Sequence, residues 1–159
     1  MSAAQDEPLG YLLHRVASAL RAEVTSSVLD SLELTFPQYI CMRLLSKYGD
    51  RSNAELARDS GVSPQAMNMV LRGLEERGLV SRPASVASGR SLPATLTRRG
   101  RELLARTDSG VKTAEQRLLG NLTEPQQREF RRILAALGSP GEARTAAWIF
   151  GNGLAASSS

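Results

Sequence analysis

Ser52-Asn-Ala-Glu55 and Ser63-Pro64 are two helix openings only eleven residues apart, with Gly61 between them. The first has the form of a capping box, in which the serine and glutamate side chains each satisfy a backbone N–H at the helix start. The second sets a capping serine before a proline, whose fixed φ suits the first helical position. Glycine takes the left-handed conformation that ends helices, so a short helix stops near Gly61 and another runs from Ser63 to about Gly78. Two helices joined by so tight a turn cannot lie end to end, and they fold against each other. In the second helix Met67, Val70, Leu71 and Leu74 recur at i, i+3, i+4 and i+7 and form a buried stripe. Gln65, Asn68, Met69 and Arg72 fall on another face, which carries no acid.

The flanking segments are also largely helical. Pro8 opens a pattern of Leu9, Leu12, Leu13, Val16, Leu20, Val24 and Val28 that predicts a long first helix to about Leu29. Thr35-Phe-Pro-Gln38 caps a second, mostly apolar helix through Ile40, Leu44 and Leu45. After the tight pair, Leu79-Val-Ser-Arg82 and Leu92 to Thr97 predict two short strands around a Ser/Gly-containing hairpin, residues 85–90. Pro93 donates no ladder hydrogen bond and argues that its strand is an edge. Thr97 then caps a long helix carrying Leu103, Leu104, Val111, Ala114, Leu118 and Leu122. Thr123-Glu-Pro-Gln126 caps a last one with Phe130, Ile133, Leu134 and Leu137, before Gly138-Ser-Pro-Gly141 breaks the chain. Trp148-Ile-Phe150 lies in the remaining tail, as a short docked helix or as an apolar end. The fold class is mostly α, a winged helix-turn-helix within a single domain of 159 residues.

Charge adds a direction. Between Arg72 and Arg106 there are eight arginines and three acids, whereas the rest of the chain holds twelve bases and thirteen acids. The positive excess therefore sits in one 35-residue segment, as an electrostatic footprint on phosphates requires, although charge alone also fits a solvated basic face. No stretch reaches the length of a membrane span and the first residues lack a secretory pattern, so a cytoplasmic protein is expected. The single Cys41 and single His14 exclude an internal disulfide and the usual protein-only zinc site. No glycine-rich phosphate loop or catalytic motif is present, which argues against an enzyme, and no cofactor or metal is implied.

A helix whose outward face bears Gln65, Asn68 and Arg72 has the chemistry of major-groove readout. Asn and Gln can pair bidentately with adenine and Arg with guanine, while Met69 can touch a thymine methyl. The hairpin supplies Arg90, an arginine placed to enter a narrow minor groove. Ser63, Gln65, Asn68, Met69, Arg72, Arg77 and Arg90 are the candidate DNA contacts. Arg77, with Arg98 and Arg99, suits a phosphate-side or structural role.

Leu34-Thr-Phe-Pro-Gln38, Ala54-Glu-Leu-Ala57, Val62-Ser63, Leu74-Glu-Glu-Arg-Gly-Leu-Val80 and Leu96-Thr-Arg-Arg-Gly100 together resemble the signposts of MarR-type regulators, over roughly residues 8 to 138. The resemblance implies a homodimer in which residues 8–33 and 98–150 form dimerisation helices and residues 34–97 the winged helix-turn-helix. It also implies a transcriptional regulator of palindromic operators on double-stranded DNA, by family default a repressor, released by a small phenolic or aromatic acid. Tyr11, His14 and Arg15 of the first helix and Tyr39, Met42 and Arg43 of the second are the candidate ligand contacts, arginine being suited to a carboxylate. The wing departs from the family pattern, since Ser88 stands where an Asp commonly precedes the wing-tip arginine, here Arg90. Two alternatives stay open: a thiol-based redox sensor using Cys41, and a non-specific nucleoid-type DNA-binding protein.

Overall fold

The computed structural model describes residues 6–83 and 93–138, which form six α-helices and one small antiparallel sheet. Helix α1 spans Leu9–Val24 and continues into a π turn, Thr25–Leu29, and a 3-10 turn, Asp30–Leu32. The single regular helix expected over this stretch is thus regular only as far as Val24. Apolar spacing tracks the buried side and is insensitive to whether the backbone widens by one residue or tightens by one. The run ends at Glu33, which takes a left-handed φ of 53° in place of the usual glycine.

Helix α2 (Phe36–Tyr48) starts at Thr35, whose hydroxyl accepts from the Gln38 N–H while the Gln38 side chain accepts from the Thr35 N–H. Ser52 and Glu55 make the same reciprocal pair at α3 (Asn53–Ser60), which stops at Gly61 with φ 66°. Helix α4 (Pro64–Glu76) follows, capped by Ser63 through the Ala66 N–H. Strands β1 (Val80–Ser81) and β2 (Thr95–Leu96) pair antiparallel, Val80 opposite Leu96 and Ser81 opposite Thr95. They are shorter than the runs expected from sequence. Pro93 adjoins a strand of a two-stranded sheet, as its edge reading expects: Thr95 and Leu96 pair with β1, and the adjoining Ala94 makes an isolated bridge to Arg51. The proline is tolerated because the ladder begins one residue after it, where the Ala94 N–H donates to the Arg51 carbonyl at 2.9 Å.

Helix α5 (Arg98–Leu118) is capped by Thr97, whose hydroxyl also donates to the Gly78 carbonyl and so ties the helix start to the end of α4. Its Gly100 lies so close to Leu79 that a Cβ there would meet the Leu79 carbonyl oxygen at 2.0 Å. Helix α6 (Glu124–Leu137) opens with the reciprocal Thr123–Gln126 box.

One core joins these elements. Val24 and Leu29, Cys41, Met42 and Leu45, Leu56 and Ala57, Met67, Leu71 and Leu74, Leu79, and Leu104, Val111 and Ala114 are buried together. Helix α2 is the hub, packing against α3, α4 and α5, and α1 packs along α5. The outer parts of the fold are different. Leu9, Leu13 and Val16 of α1 are exposed, and α6 buries no residue at all. No described helix is long and apolar enough to cross a membrane.

Candidate nucleic-acid interface

The helix-turn-helix is held at three levels. Leu56 and Ala57 of α3 share the core with Met67, Leu71 and Leu74 of α4. The Asn53 amide donates to the Pro64 carbonyl at 3.0 Å, linking the first turns of both helices. Gly73 lets α4 approach α2, since a Cβ there would sit 2.9 Å from the Gln38 amide nitrogen. Sequence pattern and packing agree: the stripe of Met67, Leu71 and Leu74 is buried, with Val70 half-buried beside it.

Gln65, Asn68, Met69 and Arg72 all project to solvent. Met69 is 76% exposed and takes no part in the core. Ser63 stands at the base of this face with its hydroxyl oxygen accepting from Ala66, which leaves its proton free to donate to a phosphate.

Arg77 does not join the face. Its guanidinium donates to the Glu33 carbonyl at 2.5 Å and the Leu32 carbonyl at 3.0 Å, closing the end of the 3-10 turn where Glu33 turns left-handed. Of the phosphate-side and structural roles that its sequence position suits, these bonds are those of the structural one. Arg90 and the hairpin tip, with Ser88, lie outside the described residues, as does the tail containing Trp148 and Phe150.

Sequence reasoning passed over Arg82, which follows β1. Its guanidinium forms a short ion pair with Glu75 and donates to the Asn68 side-chain oxygen at 3.3 Å. The hydrogen bond to Glu75 raises the pKa of Arg82 further. Asn68 and Glu75 are seven residues apart, two helical turns on one side of α4, which was the available signal.

The candidate ligand residues separate into two groups. The Tyr39 hydroxyl and the Arg43 guanidinium converge on one carboxylate, Asp108 of α5, at 3.1 and 3.0 Å. Burial first, then the nearby Asp108 charge, pushes the Tyr39 phenol upward from its usual pKa. Met42 is fully buried in the core and touches a ligand only if the core opens. Tyr11, His14 and Arg15 are exposed on α1, where Arg15 pairs with Glu7 and lies over the Tyr11 ring at 5.7 Å. Among the described residues no hydrogen bond, ion pair or ring contact joins this trio to Tyr39 or Arg43. Asp108 was missed because its partners lie 65 and 69 residues away and nothing local marks it.

Cys41 is completely buried, and burial pushes its thiol up to about 12, so almost none of it is thiolate at neutral pH. Among the described residues no group of His, Cys, Asp and Glu could hold a metal ion.

Comparison with known proteins adds an independent line. Residues 34–92 match the MarR family. The chain is similar to the HTH-type transcriptional repressor Rv2887 of Mycobacterium tuberculosis (strain ATCC 25618 / H37Rv), with 58% identity over 139 residues, 87% of this chain and 99% of that one. A crystal structure of Rv2887 in complex with DNA superposes with a TM-score of 0.74 at 53% identity, covering 84% of this chain and 100% of the other. Another, of Rv2887 in complex with salicylic acid, gives 0.72 at 58% identity, covering 85% and 99%.

Proposed function

This chain belongs to the MarR family, and from that premise we propose that it is a homodimeric repressor that binds palindromic operators and releases them when a small aromatic acid binds. It is a DNA-binding transcriptional regulator rather than an enzyme. The observation that carries the reading is the exposed face of α4, with Gln65, Asn68, Met69 and Arg72 outward on a helix locked to α2 and α3. Such a helix can enter a major groove about 12 Å wide and offer base edges hydrogen-bonding and methyl-contacting groups. The cytoplasm is its place of action on this reading.

Dimerisation is supported by what the single chain leaves uncovered. Leu9, Leu13 and Val16 of α1 and Ile133, Leu134 and Leu137 of α6 are exposed apolar side chains on the two ends of the chain that the winged domain does not cover. Two copies joined there would carry two α4 helices, and half-sites one helical turn apart would suit them.

The effector reading rests on Arg43 and Tyr39. Both already hold an internal carboxylate, that of Asp108, and an aromatic acid with its own carboxylate would compete for the same two donors. Because Asp108 is on α5 and Arg43 on α2, exchanging one carboxylate for another loosens the link between the helix that leads to the dimer ends and the hub of the winged domain. Salicylate is the natural first probe, since the similar Rv2887 has been crystallised with salicylic acid. A redox role for Cys41 has no support from its buried, protonated thiol.

The test is a gel-shift titration of the purified protein on the DNA upstream of its own reading frame and on a duplex selected from a random pool, with excess unrelated competitor. A specific regulator prefers one of these by roughly a thousandfold or more, and salicylate weakens the complex. Equal affinity for all duplexes leaves the non-specific nucleoid reading in its place.

A further inference from the structure

We propose that Arg82 is a specificity-positioning residue, which fixes the side-chain amide of Asn68 in one orientation so that α4 reads its base pair in a single sense. The inference rests on the DNA-binding reading above and concerns how that reading is made selective.

An asparagine on an exposed helix face rotates freely about its last side-chain bond, and a half-turn exchanges its acceptor oxygen with its donor nitrogen. Unrestrained, Asn68 would offer a base edge either order of donor and acceptor. In this structure Arg82 donates from Nη1 to the Asn68 Oδ1 at 3.3 Å. The flipped amide would set its NH₂ group against the guanidinium, donor facing donor, so the observed orientation is the one that Arg82 selects. One lone pair of Oδ1 is then engaged, and the second lone pair with Nδ2 remains as an acceptor–donor edge of fixed order, the pattern that matches adenine in the major groove.

Arg82 is itself held. Its other terminal nitrogen, Nη2, is bound to Glu75, which lies on α4 two turns beyond Asn68, and its side chain is only 27% exposed. This neutralised, half-buried guanidinium is poorly placed to serve as a phosphate contact, and its geometry is that of a strut lying along the recognition helix. The fork matters: two nitrogens of one planar group reach Glu75 and Asn68 together, which an ammonium group does not reproduce.

The experiment uses the full chain and an operator selected by the wild-type protein from random duplex DNA. Each operator position is replaced in turn, and relative affinities are measured by competition for wild type, Arg82→Ala, Arg82→Lys, Asn68→Ala and the Arg82→Ala/Asn68→Ala pair, with thermal melting of each variant. The expected result is that both Arg82 variants lose about tenfold in base preference at the position that Asn68→Ala also flattens, that other positions keep theirs, and that the double variant is no flatter than Asn68→Ala alone. Arg82→Lys carries the test if Arg82→Ala does not fold, because lysine keeps a charge beside Glu75. Wild-type preference in Arg82→Lys, losses spread evenly over all positions, or losses that multiply in the double variant would each overturn the proposal. Failure of the wild-type selection to enrich any sequence would instead overturn the DNA-reading premise.

Discussion

The Arg43 guanidinium donates to the Asp108 carboxylate at 3.0 Å, and through that contact helix α2 is joined to α5 across 65 residues of sequence. Tyr39 donates its phenol to the other oxygen of the same carboxylate at 3.1 Å. Asp108→Asn removes the charge and keeps an oxygen that can accept. The pair is partly exposed, with the two side chains 52% and 35% accessible, so the stability loss should be no more than about 1 kcal/mol by urea denaturation. Titration calorimetry with salicylate should show Asp108→Asn binding at least as tightly as wild type and Arg43→Ala about tenfold more weakly. Weaker salicylate binding in Asp108→Asn would contradict a competition between the two carboxylates.

Cys41 should behave as a buried thiol. With its pKa pushed up to about 12, native protein at pH 8 should react with iodoacetamide far more slowly than urea-unfolded protein. The same shift has a consequence for stability. The unfolded thiol ionises near pH 9 and the folded one only near 12, so between these values the unfolded state sheds protons that the native state keeps. The contribution is whole below pH 9 and is lost as pH rises toward 12, and Cys41→Ala should flatten that alkaline decline. Alkylation of the native thiol at the unfolded rate would revive the redox alternative.

Arg77→Ala removes two charge-assisted bonds to the Leu32 and Glu33 carbonyls at the end of the first helical segment. A loss of about 1.5–3 kcal/mol is expected in chemical denaturation. Base preference on a selected operator should be unchanged, since Arg77 faces the helix end rather than the groove. A change in preference with stability intact would reverse that assignment.

The uncovered apolar ends bear on assembly. Leu137 is 69% exposed on a helix without a buried residue, so Leu137→Glu is harmless to the monomer's packing. Combined with Ile133→Glu, it should convert a dimer into a folded monomer in sedimentation, and operator affinity should fall at least about a hundredfold, as the two half-sites are no longer bound together. A dimer that survives both charges would place the interface elsewhere.

Local rules made most of this fold legible. Three capping boxes, at Thr35, Ser52 and Thr123, each form the reciprocal bonds that their spacing announces, and Gly61 ends α3 with the left-handed backbone that a glycine there permits. The face of α4 was readable for the same reason, because which side a residue takes depends only on the helical period. What escaped depends on distance. Arg77 finds its carbonyls 44 and 45 residues away and Arg43 its carboxylate 65 away, and an arginine that ends in a protein partner has the same sequence signature as one that faces DNA. The π and 3-10 turns after Val24 escaped for a different reason: they keep Val28 and Leu29 buried, so the apolar pattern does not change. Pro93 was readable as a residue at the margin of the ladder, since pairing starts at Ala94.

If the outward face of α4 reads base sequence, Arg72 is the residue whose loss shows it. Its side chain is exposed on that face and, unlike those of Arg77 and Arg82, makes no hydrogen bond or ion pair among the described residues. Operator binding should be measured against unrelated competitor DNA for wild type, Arg72→Ala and Asn68→Ala, at one fixed salt concentration. Wild type should prefer its operator by roughly a thousandfold, and each variant should lose about tenfold or more of that preference while retaining weak non-specific binding and an unchanged melting temperature. Full preference in both variants would contradict base reading by α4.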